Sequence, residues 1–268
     1  MMSEAEVPDL EPLRAWFASY CGSFRSPDPE QQRNFDLKEK HTRNVCLAAR
    51  RIAQGESPRF CMLAEVAAVC HDLGRFPQFR DFHTFKDSDS LNHAHLSAQV
   101  VKEHALLDFL TRQERETVEI AVRLHNVFEV PAGLPPETGK LLRLLRDADK
   151  LDIWRVFIEY FQAPEEERAS AAGLGFPDIP ECAPEVLDAV RSGKLVHLSS
   201  LRSLNDFKLL QVSWIYDINF VSTLSFIRER GVLEQFAAIL PDDDAVLDAL
   251  ARVREYLDRR LDDSTRNP

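Results

Sequence analysis

The chain has 268 residues, a formal net charge of -11, 29% charged and 44% hydrophobic residues. That apolar fraction suits a soluble globular protein and excludes a disordered or fibrous chain. The acidic balance argues against a protein that coats duplex nucleic acid, which requires many surface cations. It leaves phosphorylated substrates open, because a bound metal supplies positive charge locally.

The nine glycines form neither G-x-G-x-x-G nor G-x-x-x-x-G-K-[ST], so dinucleotide and P-loop fingerprints are absent. The five cysteines (Cys21, Cys46, Cys61, Cys70 and Cys182) are scattered and include no C-x-x-C. That inventory fits a reducing, cytoplasmic setting better than a disulfide framework or a thiolate zinc site. No signal-like segment opens the chain, and no apolar run reaches membrane-spanning length.

The elements follow in chain order, and helical periodicity dominates. Asp9–Tyr20 reads as a short helix. Asp28 with Pro29 opens a long one that Gly55 closes, and Ser57-Pro58 starts the next, running to about Leu73. Gly74 and Pro77 are expected to stop it, leaving a polar and aromatic loop from Phe76 to Ser88. Asn92 or Ser90 caps a helix through Val101; another spans Arg112–Val127 until Pro131, Pro135 and Pro136 break the pattern. Glu137–Phe161 carries Leu141, Leu144, Leu145, Leu151 and Trp154 at helical spacing. An irregular Pro- and Gly-rich connection follows, from Gln162 to Pro184. A short helix near Val186, an apolar helix over Asp206–Arg230 and an amphipathic helix over Asp243–Leu261 complete the chain. No internal repeat is visible. The expected fold class is all-α: a helical core over residues 1–162, with further C-terminal helices of residues 163–268 packed on it as part of the same body.

The chemistry lies in an ordered set of histidines and aspartates on successive helices: His41, His71-Asp72, His93, His125 and Asp149. Neutral imidazoles with carboxylates suit Fe, Mn, Co, Ni or Zn rather than Mg or Ca. A carboxylate such as Asp72 has two oxygens and is able to bridge two cations. Taken singly, each residue has a plain structural reading, since a lone helix-end His is commonly a satisfied core residue. His83, His104 and His197 stay in that class. The joint order is what carries information. Asp147 competes with Asp149, and His95 with His93, for one ligand position each.

The local text resembles the HD superfamily of metal-dependent phosphohydrolases. His71-Asp72-Leu73-Gly74-Arg75 is similar to its H-D-[ILV]-G-[KR] motif. His93-x-x-x-Ser97-Ala98 is similar to H-x-x-x-[GS]-A, and Ala148-Asp149-Lys150-Leu151-Asp152 to A-D-[KR]-L-D. The resemblance runs from about Lys38 to Trp154. It implies an HD-type helical bundle and selects His93 and Asp149 over their neighbours. The six-ligand members, among them symmetrical dinucleoside tetraphosphatases and cyclic-dinucleotide phosphodiesterases, imply a dinuclear centre formed by His41, His71, Asp72, His93, His125 and Asp149. The G-Y-P signature of the cyclic-dinucleotide enzymes is missing. The implied reaction is hydrolysis of a phosphomonoester or phosphodiester of a nucleotide or other small phosphorylated molecule, by water activated on two transition-metal ions. In that reading Asp72 is central, Arg75 is the first choice of cation for the transferring group, and Lys150 the second. Arg80, Lys86 and Arg123 are further cations, and Asp152 is an acceptor behind a ligating histidine.

Two further readings concern the surroundings. Phe76, Phe79, Phe82 and Phe85 either stack a nucleobase or anchor their loop on the bundle, the latter being the plainer. Asp217 and Asn219 either reach a pocket or are buried and hydrogen-bonded. The alternatives in function are an HD-fold diiron oxygenase and a non-catalytic regulatory module that binds metal or nucleotide. The expected partner is a small phosphorylated substrate, with no duplex nucleic acid and no membrane; homo-oligomerisation stays open.

Overall fold

The computed structural model describes residues 7–164, 167–171 and 175–266. Among them every regular element is a helix. No described helix is long and apolar enough to cross a membrane. The chain divides into two units. The first holds the described residues up to Asp152 together with Ala169–Ala171. The second holds the described residues of Ile153–Arg168 and Ala172–Pro268.

The first unit is built around α3 (Pro58–Cys70). Its sequence is apolar on every side, and all residues from Met62 to Cys70 are buried. Such a helix has to sit at the centre of a bundle. Ala64, Ala67 and Ala68 are fully buried and keep its surface narrow, so neighbouring helices approach closely. α1 (Glu11–Gly22), α2 (Pro29–Ile52), α5 (His93–Glu103) and α6 (Arg112–Leu124) pack against it. Glu65, the one carboxylate within α3, accepts from Arg14 of α1 and Arg50 of α2. α4 (Arg75–Phe82) joins α3 to α5, and α7 (Pro136–Gln162) runs past the unit's end at Asp152.

The helix starts follow the capping residues. Asp28 accepts from the N–H groups of Glu30 and Gln31, Ser57 from Phe60, and Asn92 from His95. Thr111 and Glu114 form a reciprocal capping box at the start of α6.

One expectation fails here. Phe76 to Ser88 is not all loop: Arg75–Phe82 is α4. Pro77 falls in the first turn, where a missing N–H costs nothing, so it begins a helix rather than ending one. Phe76 and Phe79, three apart, then share one buried face. They pack with Phe17, Tyr20, Phe24 and Phe35 in an aromatic cluster. α3 also stops at Cys70, earlier than Leu73.

The second unit contains α8 (Pro184–Arg191), α9 (Leu204–Ser213), α10 (Val221–Glu229), α11 (Val232–Ala237) and α12 (Asp244–Arg266). Every residue of α9 is buried. α12 places Val246, Ala249, Leu250, Val253, Leu257 and Leu261 on one buried stripe, packed against α8, α9, α10 and α11. The single helix expected over Asp206–Arg230 is divided. A 3-10 turn at Trp214–Asp217 separates α9 from α10. Within that break the Asn219 side chain donates to the Asp217 carbonyl at 3.0 Å. Asp and Asn side chains compete with the helical hydrogen bonds in this way, without a Gly or Pro to announce it.

Candidate metal centre

The helix ends bring the ligand-type residues together. His71 is the C-cap of α3, and His125 the C-cap of α6. His93 is the first residue of α5, and His41 and Asp149 lie within α2 and α7. The result is two groups, His41/His71/Asp149 and Asp72/His93/His125, each with its donor atoms within 4.8 Å of one another.

All four imidazoles are tied at Nδ1 and present Nε2 inward. His41 Nδ1 donates to Asp152 Oδ2 at 2.7 Å, and His93 Nδ1 donates to Asp87 Oδ2 at 2.8 Å. His71 Nδ1 donates to the Ala68 carbonyl at 2.7 Å and His125 Nδ1 to the Val122 carbonyl at 2.8 Å. A donor at Nδ1 leaves a lone pair at Nε2 in the neutral ring, the form that ligates a metal. The Nε2 atoms then meet in pairs, His41 with His71 at 3.4 Å and His93 with His125 at 3.0 Å. Facing lone pairs repel unless a proton or a metal cation lies between them. Two nitrogens each about 2.1 Å from one cation, at tetrahedral or octahedral angles, lie about 3.0–3.4 Å apart. The donor set therefore fits divalent transition metals.

Asp72 stands between the groups. Its Oδ2 lies 3.6 Å from His41 Nε2 and 3.8 Å from His71 Nε2. Its Oδ1 lies 3.5 Å from His93 Nε2 and 3.9 Å from His125 Nε2. Burial opposes its charge, yet Lys38, His71, Arg75 and His93 outweigh burial and hold it well below the usual carboxylate range. Asp149, partly exposed, is likewise kept ionised by His41 and His71 against the cost of desolvation.

The imidazoles differ between the groups. Burial disfavours the charged form of His41, but the hydrogen bonds to Asp149 and Asp152 prevail and raise it to about 9. Burial and the Arg75 charge lower His93 to about 4, against the pull of Asp87. Burial with neighbouring His93 and His71 lowers His125 to about 3.

The HD-type motifs gain a steric reason. A Cβ on Gly74 would collide with the His93 carbonyl oxygen, Ser97 N and Leu96 Cβ. The Gly74 N–H donates to Ser97 Oγ at 2.8 Å. The glycine after His71-Asp72 and the serine four residues after His93 are thus one contact, which seats the start of α5 against the start of α4.

The residues left open at the sequence level separate by place. His93 is buried in a group, whereas His95 is exposed. Asp149 belongs to a group; Asp147, fully buried on α7, does not. Asp152 backs His41, as expected. Arg75 donates through Nη1 to the Phe85 carbonyl at 2.5 Å, Gln78 at 2.9 Å and Asp87 at 3.1 Å, with Nε 3.5 Å from Asp72 Oδ1. Lys150 is buried, one residue on from Asp149 and so about 100° around α7. Arg80 pairs with Asp81, Lys86 with Asp89, and Arg123 is exposed. The Phe residues anchor: Phe76, Phe79 and Phe85 are buried, and Phe82 is exposed.

Sequence reasoning missed Lys38, Asp87, Gln78 and Asn126. Lys38 Nζ lies 2.8 Å from Asp72 Oδ2. Its position three before His41 on α2 was a legible signal. Asp87 collects bonds from His93, Arg75, Gln78 and Asn126. In sequence it looks like one more turn carboxylate.

The family model for the HD domain matches residues 39–154, a span that holds all six residues of both groups. This segment is an HD domain. HD domains form a superfamily of metal-dependent phosphohydrolases that bind divalent metals. No curated protein and no solved structure matches the chain.

Proposed function

We propose that the chain is a metal-dependent phosphohydrolase with a dinuclear centre, acting on a phosphomonoester or phosphodiester of a nucleotide or another small phosphorylated molecule. The observation that carries this reading is the placement of Asp72, whose two oxygens face two separate pairs of Nε2 atoms. One ion would be held by His41, His71 and Asp149, the other by His93 and His125, with Asp72 shared between them. Divalent ions bound there supply Lewis acidity toward phosphoryl oxygens and activate water for in-line attack.

The chain's own groups do the rest. The Nδ1 tethers hold four imidazoles in fixed orientation with Nε2 facing inward. Asp72 is balanced locally by the Lys38 and Arg75 charges, and Asp149 by His41 and His71. Added divalent charge then makes the pocket attractive to an anion despite the chain's net charge of -11. Arg75 holds the segment carrying Phe85 and Asp87, and through Asp87 it holds His93.

The test is metal analysis joined to a phosphate-release screen. Metal-free protein is reloaded with Mn, Fe, Co or Ni and offered nucleotides, cyclic dinucleotides and generic phosphoesters. Phosphate release that depends on the added metal, at two ions per chain, is the expected result. Tight metal binding without release from any of these substrates overturns the reading, as does oxygen consumption by the iron form in place of hydrolysis.

A further inference from the structure

We propose that Lys38 binds a non-bridging oxygen of the substrate's phosphoryl group, a role no motif of the sequence assigns to it. The proposal rests on the phosphohydrolase reading above and names the cation that serves it.

Lys38 lies on α2 one turn before His41, so both side chains leave the same face of the helix. Its ammonium reaches Asp72 Oδ2 at 2.8 Å, the oxygen that faces His41 and His71. It sits over the Phe85 ring, 5.1 Å from the centroid, which holds the long side chain in place. An ammonium has three N–H donors. Among the described residues, Asp72 is the hydrogen-bond acceptor for one of them. Two donors are left beside the shared carboxylate, on a side chain that is 14% exposed and so reachable from solvent.

Arg75, the cation that the HD motif points to, is used differently. Its Nη1 is committed to Phe85, Gln78 and Asp87 on the His93 side of Asp72. The two cations thus flank opposite oxygens of one carboxylate. Arg75 braces the loop, and Lys38 keeps donors for an incoming anion. Charge-assisted bonds of this kind are short and about twice as strong as neutral ones.

The experiment uses the full chain loaded with Mn, with inorganic phosphate as the probe. Calorimetry gives the phosphate Kd and mass spectrometry the metal content for wild type, Lys38→Met and Lys38→Arg. Lys38→Met should keep the wild-type metal content and bind phosphate about tenfold or more weakly. Lys38→Arg should recover much of that loss. Unchanged phosphate affinity in Lys38→Met with metal retained overturns the proposal and leaves the phosphohydrolase reading standing. Loss of metal from Lys38→Met also overturns it, because Lys38 would then act only as a counter-ion that sets Asp72. Loaded wild type that binds no phosphate removes the phosphohydrolase reading itself. If Lys38→Met does not fold, Lys38→Gln makes the same comparison.

Discussion

The two groups of the HD domain are built on one plan with different supports. Each has a histidine at a helix C-terminus tied to the carbonyl three residues back, His71 to Ala68 and His125 to Val122. Each has a histidine backed by a carboxylate, His41 by Asp152 and His93 by Asp87. The first adds Asp149, and Asp72, grouped with the second, faces the imidazoles of both. The supports differ in stiffness. Asp152 stands on α7 three residues after Asp149, so one helix fixes both ligand and brace. Asp87 stands between α4 and α5, held by Arg75, Gln78 and Asn126. One site therefore takes its brace from the helix that carries its aspartate, whereas the other depends on a connector pinned by side chains. Similar donor geometry can be reached from rigid or from adjustable surroundings, and affinity should follow the surroundings.

The largest effect is expected where the groups meet. Asp72→Ala removes the carboxylate that both share, so bound metal should fall in both sites and phosphate release should drop about 10²–10³-fold or more. Metal analysis and turnover check this; a variant that kept both ions would break the pairing.

The braces come next. Asp152→Asn and Asp87→Asn should each weaken one ion by about 10–100-fold and leave the other in place, as read by metal titration. Asp87→Asn should also lower Tm more, because Asp87 is the hub of its connector. Equal loss of both ions from either variant would show one cooperative centre rather than two supported differently.

The smallest effect is in pH. His41 is raised to about 9, so in metal-free protein it is protonated at neutral pH and must release a proton to bind an ion. His93 and His125, lowered to about 4 and about 3, are already neutral. The His93/His125 site should fill at lower pH than the His41/His71 site, which a metal titration at several pH values would resolve. For metal-free stability the signs oppose. The raised His41 contributes fully below its ordinary 6.5, and that contribution is lost as pH rises through about 9. The lowered His93 and His125 disfavour folding as pH falls from 6.5 toward about 4 and about 3. Histidine NMR titration of the metal-free protein checks the three values directly.

Much of this was legible. Capping residues and apolar periodicity located α2, α3, α5, α6 and α7, and the order of His and Asp along them picked out six residues that do converge. Local chemistry sufficed there because each motif residue sits at a helix end or on an inward face, positions that caps and spacing define. The failures share a cause too. Pro77 reads as a stop but sits in the first turn of α4, and Trp214–Asp217 breaks a run that has no breaker in it. In both cases burial of neighbouring rings and side-chain competition for backbone bonds decided the outcome.

The sequence by itself determined an all-helical chain, an HD domain and the identities of the His and Asp donors, because periodicity, caps and motif spacing are local. Only the tertiary structure decided that Asp72 stands between two groups, that Asp87 and Asp152 brace them, and that Lys38 reaches the shared carboxylate. Those relations join residues as far apart as 111 positions, His41 and Asp152, and they exist only once the fold brings α2 and α7 together.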